Sequence, residues 1–94
     1  MAYNKLSNHK TTWANLPCGG VTVTYQHTEI VRKDHDTITL RSGGWETVTT
    51  KRKMNQASHQ FALGYSVYQR DYKWFVDLPN GETVPFEDGM TFKR

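Results

Sequence analysis

The stretch VTVTYQHT, beginning at Val21, alternates apolar and polar residues, and the same period of two recurs along most of the chain. Such a period places Val21, Val23 and Tyr25 on one face of a strand and Thr22, Thr24 and Gln26 on the other. Only one segment has the three-to-four spacing of a helix. A chain patterned in this way must build its core on sheet, with a single helix laid against it. Composition agrees. Hydrophobic residues make up only 36% and aromatics 13%, so Trp, Tyr and Phe carry much of the core, and the many threonines suit a pleated, half-buried surface. At 94 residues there is one domain, 1–94, which buries about 60 to 65% of the surface its unfolded chain would expose.

The first 20 residues lack periodicity, and NLPCGG is turn chemistry, so 1–20 reads as an irregular arm anchored by Trp13 and Leu16, leading into a body over 21–94. The apolar phase slips near Thr28, where Ile30 takes over as the inward residue, which predicts a bulge or a turn. EIVRK, a turn at Asp34-His35-Asp36, and TITLRS complete a hairpin closed by Gly43 and Gly44. Beyond the helix, YSVYQRDYKWFVDL reads as two strands turning at Asp71-Tyr72, PNG at 79–81 is a further turn, and ETVPF is a third strand that Pro85 confines to an edge. The expected fold is α+β, a twisted antiparallel β-sheet of about five strands with one α-helix over about 50–63 packed on one face, in the order arm-β-β-α-β-β-β.

The helix segment TTKRKMNQASHQFALG carries Met54, Ala57, Ser58 and Phe61 on one stripe, with Arg52, Gln56, His59 and Gln60 pointing away and Gly64 ending it. With Thr50 as N-cap, Lys51, Arg52 and Lys53 fall in the first turn, where the helix dipole disfavours cations by about 0.3 to 1 kcal/mol each. Two explanations fit: an anion such as phosphate occupies the turn and converts repulsion into attraction, or Glu46, another carboxylate or water neutralises it.

In the Asp71-Tyr72 hairpin, pairing sets Tyr68 opposite Phe75, Gln69 opposite Trp74 and Val67 opposite Val76. One face, with Tyr65, Val67, Trp74, Val76 and Leu78, is core. The other presents Ser66, Tyr68, Arg70, Lys73, Phe75 and Asp77, two aromatics flanked by two cations, which resembles a platform for unpaired bases. The favoured expectation is that this face lies under the helix, the arm or a second subunit, or holds a plain cross-strand aromatic pair, because 94 residues offer few other places to bury helix and arm.

Charge is uneven. Residues 1–75 hold ten Lys/Arg against five Asp/Glu, whereas 76–92 contain Asp77, Glu82, Glu87 and Asp88 and no cation, within a total of +3. Catalytic signals are thin. His9, His27, His35 and His59 lack zinc-ligand spacing, Cys18 has no thiol partner, the Asp34-His35-Asp36 tip is ordinary turn composition, and no Walker or GxGxxG loop occurs. No enzyme, metal or cofactor is expected. A single cysteine, the lack of a signal-like N-terminus and the absence of a long apolar run lead to the expectation of a soluble, cytoplasmic, non-membrane protein.

GGVTVTY, GGWETVTTKRKMNQ and WFVDLPNGETVPF resemble segments of small bacteriophage-encoded accessory proteins, over roughly residues 19–90, with the arm outside the likeness. The resemblance implies synthesis in an infected bacterial cytoplasm and transfers no catalytic or binding residue. The leading expectation is a non-enzymatic nucleic-acid-binding protein for single-stranded or RNA-like ligands. Lys51, Arg52 and Lys53 would hold phosphates, Arg41 with Arg70 or Lys73 would extend the basic track, and Tyr68 or Phe75 would stack on bases. The alternatives are a protein-interaction module that inhibits or redirects a bacterial host protein through its acidic edge or exposed aromatics, and a homo-oligomer joined by a sheet edge or by the Tyr68 and Phe75 face.

Overall fold

The structure is a computed structural model that describes residues 10–17, 19–44 and 47–93. Eight strands and one helix follow in the order β1 (Thr11–Asn15), β2 (Val21–Tyr25), β3 (Thr28–Asp34), β4 (Thr37–Leu40), α1 (Val48–Gln60), β5 (Ser66–Arg70), β6 (Lys73–Asp77), β7 (Thr83–Pro85) and β8 (Met90–Lys93). The α+β class stands. The strands form two antiparallel sheets, one of five in the order β1-β2-β3-β4-β8 and one of three in the order β5-β6-β7.

The segment read as an irregular arm contains β1, paired with β2 over its full length from Thr11↔Tyr25 to Asn15↔Val21. Residues 1–9 and Cys18 lie outside the described residues. The phase slip near Thr28 has two sources. Gln26 and His27 both take positive φ in the tight β2–β3 turn, and the register then skips Ile30 between the Val23↔Val31 and Thr24↔Glu29 pairs. This bulge turns both Ile30 and Val31 inward. Gly20, where the chain enters β2, passes so close to β3 that an added Cβ would lie 1.8 Å from the Lys33 carbonyl oxygen.

One core joins both sheets and the helix. Val23, Ile30, Val31, Ile38 and Leu40 enter it from the larger sheet, Met54 and Ala57 from the helix, Val67, Trp74 and Val76 from the smaller, and Tyr65 from the residue just before β5. Tyr65 meets Phe92 edge-on at 5.9 Å, linking the two sheets, and Trp74 meets Phe86 at 5.3 Å. β8 closes the larger sheet through Leu40↔Met90 and Ile38↔Phe92. Pro85 sits, as its missing donor requires, in the edge strand β7.

Candidate nucleic-acid interface

Alternation along β5 and β6 sends Val67, Trp74 and Val76 to the core and leaves Ser66, Tyr68, Arg70, Lys73, Phe75 and Asp77 on the outer face. Tyr68 lies directly opposite Phe75, and Arg70 opposite Lys73. The two rings stack with centroids 5.9 Å apart and planes 27° from parallel. Both are half-buried while Arg70 and Lys73 are exposed, so the face offers a flat apolar patch with cations at its hairpin end. At the opposite end Thr83 donates to Asp77 Oδ1 at 2.6 Å.

The helix lies along the edge of this sheet and leaves its outer face uncovered. Asn55 Nδ2 donates to the Val67 carbonyl at 2.8 Å and Asn55 Oδ1 accepts from the Val67 N–H at 2.7 Å. Ser58 Oγ repeats the arrangement at Tyr65, donating to its carbonyl at 2.6 Å and accepting from its N–H at 3.1 Å. Stepping back one helical turn therefore moves forward two residues along β5. Lys51 and Arg52 lie one helical turn before Asn55, the first half-buried and the second exposed.

Helix α1 begins earlier than its sequence pattern suggests. Thr47 is the N-cap, its hydroxyl accepting from the Thr50 N–H at 3.2 Å. Lys51 to Lys53 thus fall in the second turn, beyond the reach of most of the dipole field, and the electrostatic conflict that motivated an anion at the helix start largely disappears. Glu46 lies outside the described residues. A hollow of about 230 Å³ opens near this end, lined by Tyr25, Thr28, Ser42, Thr47 and Thr50 among others, but by none of the three cations.

The triplet also diverges. Arg52 is exposed and Lys51 half-buried, but Lys53 is buried, its ammonium 5.7 Å from the centre of the Tyr25 ring. Burial, with a smaller contribution from the charge of Arg52, lowers the pKa of Lys53. Gln56, placed outward by the wheel, is likewise buried, and its Oε1 has no hydrogen-bond partner among the described residues. Arg41 follows β4 of the other sheet and reaches Glu29 at 3.5 Å; Glu29 also accepts from Arg32, which bonds Asp34 at 2.6 Å. The eight residues of the expected track thus separate. Tyr68, Phe75, Arg70 and Lys73 share one face, Lys51 and Arg52 lie on the helix that docks against β5, and Lys53 and Arg41 lie elsewhere.

The acidic segment is partly engaged within the chain. Asp88 accepts from the N–H and hydroxyl of Ser42, Asp77 from Thr83, and Glu82 from Asn80. Among the described residues no three His, Cys, Asp or Glu side chains gather as a metal site would require, and no helix is long and apolar enough to cross a membrane. A residue that pattern-reading treated only as a turn emerges at the tip of the β5–β6 hairpin. Tyr72 has φ +67° and is 96% exposed. Its sequence signal was the absence of glycine from a two-residue turn.

Fold and surface together define a small α+β protein whose three-stranded sheet turns a paired-aromatic, cationic face to solvent. The model of the Kyanoviridae Gp96 protein family matches residues 1–93, and the chain belongs to this family of phage-encoded proteins. The phage likeness read from residues 19–90 therefore extends through the N-terminal arm. No curated protein and no solved structure matches the chain.

Proposed function

We propose that this phage accessory protein is a non-enzymatic binder of single-stranded nucleic acid, using the outer face of β5 and β6. The observation that carries the reading is the Tyr68–Phe75 pair, stacked and turned outward two register positions from the exposed Arg70↔Lys73 pair. A ring accepts the π-face of any base, worth roughly 1 to 3 kcal/mol per base, while guanidinium and ammonium groups hold the intervening phosphates. Lys51 and Arg52 extend the cationic border along the helix side. Lys53 and Arg41 have no part in this surface.

Anisotropy of a labelled oligothymidylate or oligouridylate, titrated from low to high salt, tests the reading. Two to four neutralised phosphates give a slope of log affinity against log salt of about −1.4 to −2.8. Binding that ignores salt, or no binding at low salt, would remove this function.

A second reading, self-association, draws on β1. This edge strand carries no charge or proline, and Trp13 upon it is 39% exposed. Such an edge templates a further strand, whereas the β5 edge is occupied by Asn55 and Ser58 and β7 is short and holds Pro85. Antiparallel β1 pairing across a two-fold axis at Trp13 would join two copies. Light scattering of wild type and Trp13→Lys distinguishes a dimer that dissociates on substitution from a monomer.

A further inference from the structure

Asp71 and Tyr72 form the two-residue turn of the β5–β6 hairpin, with φ of +52° and +67°. Turns of this type favour Asn or Asp followed by Gly, because the second residue must adopt a left-handed conformation that a side chain opposes. The first position obeys that rule and the second breaks it. Tyr72 gains nothing from packing in return, since 96% of its surface is open to solvent. Neither turn geometry nor the core accounts for an aromatic ring at this position. Strained residues held in solvent are candidates for contacts made with a ligand.

The neighbourhood indicates which ligand. Arg70 and Lys73 flank the turn and lie between Tyr72 and the Tyr68–Phe75 stack. Asp71 puts a negative charge at the tip itself, so the four residues 70–73 carry a net charge of only +1, and simple attraction of an anion is a poor account of the tip. An aromatic ring with cations set behind it suits a base whose phosphates run back along the sheet. From Phe75 to Tyr72 is three residues of strand and turn, about 10 Å at the strand rise. Base faces are covered by their neighbours inside a duplex, whereas an unpaired strand can splay its bases and present one face at each place.

Building on the function proposed above, we infer that Tyr72 is a third base-stacking residue, taking a nucleotide beyond those on Tyr68 and Phe75 and selecting extended single strands over duplex. The phosphates between the two stacking positions cross Arg70 and Lys73. Retaining tyrosine in a glycine-favouring turn is then a sacrifice of local stability for binding.

The test compares wild type with Tyr72→Gly, Tyr72→Asn and Tyr72→Phe on a labelled oligothymidylate and on a duplex of equal length. Glycine and asparagine both tolerate the turn, so their thermal midpoints should equal or exceed that of wild type. Their single-strand affinity should fall about tenfold, with a smaller change on duplex, and Tyr72→Phe should bind as wild type does. Unchanged single-strand affinity in the Gly and Asn variants, or equal losses on both ligands, overturns the inference while leaving the Tyr68–Phe75 platform intact. Failure of wild type to bind either oligonucleotide overturns both readings.

Discussion

The side chain of Asn55 hydrogen-bonds both the N–H and the carbonyl of Val67, on the edge of β5 where no neighbouring strand lies among the described residues. Asn55→Ala leaves two main-chain groups of an edge strand without these partners. The substitution should lower stability by about 1 to 3 kcal/mol, seen as a lower urea midpoint. It should also raise the tendency to associate through the opened edge, measured by light scattering. A midpoint equal to that of wild type would mean that water replaces Asn55 without penalty.

Gly20 is required by contact between backbones. The position an added Cβ would take lies 1.8 Å from the Lys33 carbonyl oxygen, and a strand cannot yield as a flexible side chain does. Gly20→Ala should destabilise by about 3 kcal/mol, at the upper end of overpacking effects. Gly19→Ala is the control: it has open space around it and only its φ of +90° to oppose the change. The expected order in denaturant midpoints is wild type above Gly19→Ala above Gly20→Ala.

Two buried groups set the alkaline profile. Burial lowers the pKa of Lys53 from 10.5, so between that lowered value and about 10.5 the unfolded chain binds a proton that the folded chain does not. Stability therefore rises with pH across this window. Burial raises the pKa of Tyr65, whose hydroxyl donates to the Met54 carbonyl at 2.6 Å. Above about pH 10 the unfolded chain loses a proton that the folded chain keeps, and stability falls. Lys53→Met should remove the rising limb and Tyr65→Phe the falling one in urea midpoints measured from pH 7 to 11.

The salt dependence of oligonucleotide binding should respond selectively. Arg70→Gln and Lys73→Gln should each reduce the slope by about 0.7 for a single strand. Arg41→Gln should leave it unchanged, because Arg41 faces Glu29 on the other sheet. A slope insensitive to Arg70 and Lys73 but lowered by Arg41→Gln would move the binding surface to the larger sheet.

Much of the architecture was legible from local pattern. The Asp71-Tyr72 turn, the Tyr68↔Phe75 and Gln69↔Trp74 pairs, the disturbance near Ile30 and the edge position of Pro85 all follow from period-two alternation and turn chemistry. The stripe of Met54, Ala57 and Ser58 was equally clear, and all three are buried. The candidate site was half legible. The aromatic pair and its cations could be placed on one face, but whether that face was open depended on where the helix docked.

By itself, then, the sequence determined which residues alternate, where the chain turns and which segment is helical, because those properties arise from neighbours within a few positions. Only the tertiary structure decided that the strands divide into two sheets, since pairing Leu40 with Met90 joins segments fifty residues apart. It also decided that Lys53 turns inward over Tyr25 while Arg52 stays exposed. Three adjacent cations are equivalent as letters. The 100° between successive helical residues gives them different surroundings, and those surroundings exist only once the sheets are in place.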